Sequence, residues 1–182
     1  FRFLGLKTEE RRFQLLVDLN GFLAPHAALV TDTVSRTLSS LRDQHEFAIL
    51  AFNEQDSGPV YLRWPADGQL VRASPRNLDA ARQFLTTLES RYGGSSPVLG
   101  ALQAGLASEA DALVLFSDGL VNPRYNSGLD GAGIVSRITR ENVQDKEIHA
   151  VTLGDYFKYR TTIQFMETLA KANDGGFMAL SR

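Results

Sequence analysis

The chain of 182 residues contains no cysteine. That excludes thiolate zinc sites, thiol catalysis and a disulfide scaffold, while leaving the compartment open, since cytosolic and exported domains alike can lack the residue. An excess of either charge sign is also missing: 19 Lys and Arg face 21 Asp and Glu, for a formal charge of -2. Nucleic acid and anionic membrane surfaces need a concentrated basic field, so the near balance points away from both as main partners. No apolar run approaches the roughly 18 to 20 residues of a membrane span, and no charged start followed by an apolar stretch reads as a signal peptide. Neither GxSxG nor a phosphate loop ending in GKS or GKT is present, so acyl hydrolysis and NTP hydrolysis lack their signatures. There is no internal repeat, low-complexity tract or linker. The length suits one domain, and at this size roughly 70% of the unfolded surface is hidden on folding, so neither metal nor disulfides are needed for a core. The first residue is Phe1 rather than Met. The expectation is a single domain over residues 1–182 belonging to a longer protein, with an exported or membrane-anchored parent favoured over a cytoplasmic one.

Short apolar segments rich in β-formers recur along the chain: Phe13 to Val17 ending at Asp18, Glu46 to Phe52, Ala112 to Phe116 and Ile148 to Leu153. Between them lie stretches with apolar residues at three and four spacing. Ala27 to Leu41 carries Leu29, Val30, Val34, Leu38 and Leu41; Leu78 to Leu88 carries Ala81, Phe84 and Leu85. Val98 to Leu106, Ile134 to Asn142 and Ile163 to Ala172 continue the alternation, and Gly176 to Leu180 supplies a last strand. Strand-helix alternation predicts an α/β fold, a mostly parallel sheet with helices on both faces. Only Asn53 to Pro59 separates the two strand-like runs in Phe47 to Trp64, too few residues for a crossover helix. Val60 to Arg63 is therefore predicted as an antiparallel edge strand.

In open α/β sheets ligands gather beyond the carboxyl ends of the strands. Asp18, Asp118 and Asp155 each follow a predicted strand and so fall on that rim. His45 precedes a strand and His149 stands at the start of one, so both fall on the opposite rim, and His26 lacks a carboxylate or serine at motif spacing, so a histidine triad is not indicated. The loop Gly93-Gly94-Ser95-Ser96-Pro97 reads as a helix start, with Ser96 as N-cap and Pro97 at the first helical position. Asp118-Gly119 by itself reads as a turn. The longest irregular stretch is Gly119 to Gly131.

Taken in order, these pieces carry a resemblance. Phe13 to Leu23, with Asp18-Leu19-Asn20-Gly21-Phe22, resembles the strand and D-x-S-G-S loop that open a von Willebrand factor type A domain. Gly93 to Pro97 with Ala101-Leu102 is similar to that family's G-G-T loop and helix, Leu113 to Gly119 to its L-L-x-T-D-G strand end, and Ile148 to Gly154 to its I-x-x-x-x-L-G strand. Leu169-Ala170 with Asp174-Gly175-Gly176-Phe177 is similar to its close. The resemblance covers nearly the whole chain and implies a three-layer, doubly wound α/β/α domain that binds a protein partner without catalysis.

It also implies a divalent cation, Mg²⁺ or alternatively Mn²⁺ or Ca²⁺, held at the rim by Asp18, Asn20, Ser96 and Asp118 and completed by an acidic side chain of the partner. A hard cation of this kind wants about six oxygens and keeps several waters. Two departures reduce the donor set: Asn20 stands for the family's first Ser, and Phe22, which has no oxygen to offer, for the second. Phe22, Leu23, Ser95 and Tyr125 are the expected partner-binding residues, with neither nucleic acid nor membrane contacted by this segment. Asp18-Leu19-Asn20-Gly21-Phe22-Leu23 also resembles the D-x-D-G-T-L nucleophile loop of haloacid dehalogenase-like phosphatases, with Asp18 as nucleophile. There Asn20 replaces the proton-transferring second Asp, and the Gly93 to Pro97 loop goes unexplained. A purely structural domain within a larger assembly is the third expectation.

Overall fold

The computed structural model describes residues 1–181. Its strands are β1 (Arg2–Phe3), β2 (Leu6–Lys7), β3 (Arg12–Asp18), β4 (Glu46–Gln55), β5 (Gly58–Trp64), β6 (Val71–Arg72), β7 (Ala112–Ser117), β8 (Glu147–Leu153) and β9 (Phe177–Leu180). Its helices are α1 (Ala27–Ser40), α2 (Pro75–Leu88), α3 (Val98–Ala107), α4 (Gly131–Glu141) and α5 (Arg160–Ala172).

The main sheet runs in the order β5-β4-β3-β7-β8-β9. β3 pairs in parallel with β4 and β7, and β8 with β7 and β9. The predicted antiparallel edge is present as β5, and the short β6 extends that edge against the first residues of β4. Alternation along the strands divides the core. Leu15 and Val17 of β3, Phe47 and Ile49 of β4 and Val114 and Phe116 of β7 face α1 and α2. Leu16, Leu50, Leu113 and Leu115 face α3, α4 and α5. Side chains two apart on a strand share a face, so burial on both faces yields continuous apolar runs rather than alternating ones.

Helix starts follow local chemistry. Ser74 accepts the Asn77 amide with Pro75 just inside α2, and Asp130 accepts the Gly133 amide at the start of α4. An unanticipated feature is the β1–β2 hairpin, whose Phe3 and Leu6 are buried in the α1/α2 layer.

Candidate functional site

The parallel strands β3 and β7 end side by side. Val17 pairs with Phe116, so Asp18 on one strand stands beside Ser117 on the other, with Asp118 next in the chain. Asp18 Oδ2 accepts the hydroxyls of Ser96 (2.8 Å) and Ser117 (2.7 Å), and its Oδ1 accepts the Asn20 backbone N–H (3.0 Å). Asp118 Oδ1 accepts the Asn20 carboxamide N–H (3.1 Å) and the Leu120 backbone N–H (3.1 Å). Asn20 Oδ1 in turn accepts the Phe22 N–H (2.9 Å), capping the 3-10 helix Gly21–His26. Asp18, Asn20, Ser96, Ser117 and Asp118 are between 0 and 5% exposed.

The second loop is fastened from two sides. Gly21 N–H donates to the Gly94 carbonyl and Gly93 N–H to that of Leu19, while buried Asn53 donates to the carbonyls of Arg91 and Gly93. Gly94 has φ +66°, and a Cβ there would lie 1.7 Å from the Glu54 carbonyl oxygen, so both backbone angle and space demand glycine. One sequence expectation is corrected here. Ser96 does not cap the third helix: α3 begins at Val98 after Pro97 with no side-chain cap of its own, and the Ser96 hydroxyl goes to Asp18 instead. The helix end is served from the third loop by Asn126, whose Oδ1 accepts the Leu99 N–H and whose Nδ2 donates to the Ser96 and Asn122 carbonyls. Sequence reading missed both Asn126 and Ser117, because their roles depend on partners 27 to 99 residues away.

Electrostatics follow from this burial. Desolvation pushes the Asp18 carboxyl above the usual range against the pull of its three donors. Asp118 is raised to about 7, by burial first and by the neighbouring Asp18 charge second.

The implied cation does not fit this arrangement. Asn20 turns nitrogen, not oxygen, toward Asp118, and exchanging the two amide atoms would set oxygen against carboxylate and nitrogen against the Phe22 N–H. Both Asp18 oxygens already accept hydrogen bonds and Phe22 offers none, which leaves Asp118 Oδ2 as the one carboxylate oxygen of the pair without a hydrogen-bond partner, too few free donors for the roughly six oxygens that Mg²⁺ wants. Among the described residues, no group of three or more His, Asp or Glu is placed to hold a metal ion.

The expected partner-binding residues divide. Phe22 is 71% exposed at the rim. Tyr125 is half-buried, with the Arg124 guanidinium 5.5 Å over its ring. Ser95 is half-buried and its backbone is paired with Glu54 at 2.8 and 3.1 Å. Leu23 is a correction: it is wholly buried in the core and presents no surface, because the 3-10 helix turns it inward beneath Gly154. Two aromatic residues that the sequence reading did not single out, Phe157 (63% exposed) and Tyr159 (52%), stand on the segment after β8. That segment adjoins the Phe22 helix, since a Cβ on Gly154 would touch His26 and Leu23, and His26 Nε2 lies 3.5 Å from Asp155. Beside the Asp118 loop, a groove of about 420 Å³ between α4 and α5 is lined by Gly119, Val121, Gly131, Thr162 and Phe165.

No protein-family model matches the sequence, and no curated protein sequence matches it. Its fold recurs in solved structures. The pilus adhesin SpaC from Lactobacillus rhamnosus GG is similar over 95% of this chain and 29% of its own, with a TM-score of 0.65 at 15% identity. The human COPII-coat protein Sec24c is similar over 94% of this chain and 30% of its own, with a TM-score of 0.64 at 12% identity. The chain thus spans about three tenths of either protein, and the likeness is one of fold. Among the described residues no helix is long and apolar enough to cross a membrane.

Proposed function

We propose that the chain is a von Willebrand factor A-type interaction module that binds a protein partner through the carboxyl-end rim and catalyses no reaction. The observation that carries this is the exposed aromatic set Phe22, Phe157 and Tyr159 on two adjoining rim segments. Aromatic side chains carry a disproportionate share of interface energy, and exposed ones gathered on adjoining segments mark interaction surfaces where scattered ones do not. The hydrogen-bonded carboxylates beneath hold the rim segments in place, a preorganisation that lowers the cost of association. The phosphatase alternative needs an Asp18 oxygen free to attack phosphorus, whereas both are engaged and the side chain is wholly buried.

The test is capture of native partners from an extract of the source cells by wild type, Phe22→Ala, Phe157→Ala and Tyr159→Ala, alongside a variant altered at the opposite rim. Recovery should fall at least about tenfold for Phe22→Ala or Phe157→Ala, the equivalent of one lost aromatic anchor. Undiminished recovery with all three rim variants would sink the rim reading.

A further inference from the structure

Two buried carboxylates stand at the ends of neighbouring strands, and something has to hold together the loops that carry them. We propose that the Asn20 carboxamide is that element: a built-in neutral bridge replacing a divalent cation between the Asp18 loop and Asp118, so that the rim keeps its shape and meets its partner without metal.

The geometry accounts for the bridging role a cation would fill. Asp18 is neutralised by hydroxyl and amide dipoles from Ser96, Ser117 and the Asn20 backbone, and Asp118 by Leu120 N–H and the Asn20 side chain. One side chain therefore joins three pieces: the end of β3 that carries it, the end of β7 through Asp118, and the Phe22 helix through its Oδ1. A cation entering here would find one free carboxylate oxygen, Asp118 Oδ2, and would compete with the hydroxyl and amide donors for Asp18. To gain the Asn20 oxygen it would have to turn the carboxamide and give up the Nδ2 contact with Asp118, and it would still lack a ligand at Phe22. Buried carboxylates served by several N–H and O–H donors are stable without a metal, whereas removing one such donor leaves charge without compensation.

The inference rests on the rim reading only for its statement about the partner, and the experiment uses no partner. Thermal unfolding is followed for wild type and Asn20→Asp, each in EDTA and in millimolar Mg²⁺, with calorimetric titration of Mg²⁺ into wild type. Asn20→Asp keeps the shape, removes the donor and adds a third carboxylate. The wild-type midpoint should be the same in both solutions, with no heat of binding. Asn20→Asp should unfold about 10 °C lower in EDTA and regain most of that loss with Mg²⁺, because a third carboxylate makes a cation site of this cluster. A wild-type midpoint that rises with Mg²⁺, or an Asn20→Asp midpoint in EDTA equal to wild type, would overturn the proposal. Should Asn20→Asp not fold, the Asn20 side-chain protons of wild type decide by NMR. Slow exchange unaffected by Mg²⁺ supports the bridge; fast exchange or a Mg²⁺-dependent shift refutes it. A failed partner capture leaves the bridge standing, and a failed bridge leaves the aromatic face standing.

Discussion

Asp118 makes the rim sensitive to pH. Its carboxyl rises from an ordinary 3.8 to about 7, through burial and then the charge of Asp18. An acid that holds its proton more tightly folded than unfolded contributes stability that is complete below about 4 and lost as pH rises through about 7. Asp118→Asn removes the titration yet can keep both contacts, because Asn20 Nδ2 and Leu120 N–H converge on a single oxygen, Oδ1, which an amide also supplies. The variant should match wild type near pH 4 and exceed it near pH 8 by on the order of 2 kcal/mol in denaturant unfolding. A difference that does not change between the two pH values would show that Asp118 is not the titrating group.

At the scale of elements, α3 depends on a residue from another loop. Pro97 gives it no side-chain cap, and Asn126 closes the Leu99 N–H while holding the Ser96 carbonyl. Asn126→Ala leaves those buried groups unpaired and should cost about 2–3 kcal/mol in urea unfolding, whereas a loss below about 0.5 kcal/mol would mean that the cap is dispensable. Most elements were readable beforehand, since a β-rich apolar run such as Ala112 to Phe116 and a three-four pattern such as Val30, Val34 and Leu38 each have one natural reading. The carboxylate pair was readable too, because residues at strand ends share a rim. What was not readable depended on tertiary partners. Ser-Pro before a helix looks the same whether the hydroxyl caps the helix or reaches Asp18, and only the carboxylate opposite decides. Leu23 looked like a surface anchor because the turn of the 3-10 helix that buries it leaves no periodic signal, and the β1–β2 hairpin is too short to show one.

Across the whole molecule, the rim opposite the candidate site carries a second buried network with the reverse pH dependence. Thr8 donates to Glu147 (2.6 Å), Glu147 meets His149 Nε2 (2.9 Å), and Gly176 N–H donates to His149 Nδ1 (2.9 Å). Because Gly176 occupies Nδ1, the ring proton of neutral His149 lies on Nε2, and the imidazole ties the segment after β2 to the turn before β9 with Phe3 edge-on at 5.3 Å. Burial lowers the His149 pKa below its ordinary 6.5, against the pull of Glu147, and burial likewise lowers that of His45. A histidine lowered on folding contributes stability that is present above 6.5 and lost as pH falls below it, the opposite sign to Asp118. Acidification from pH 7.5 to 5 should therefore loosen one end of the sheet and tighten the other. In hydrogen exchange corrected for intrinsic rates, protection should fall in β1, β2 and β9 and rise or hold for the Asn20 and Leu120 amides. A uniform change at both rims would mean that the fold responds as one cooperative unit and that these local titrations do not govern it.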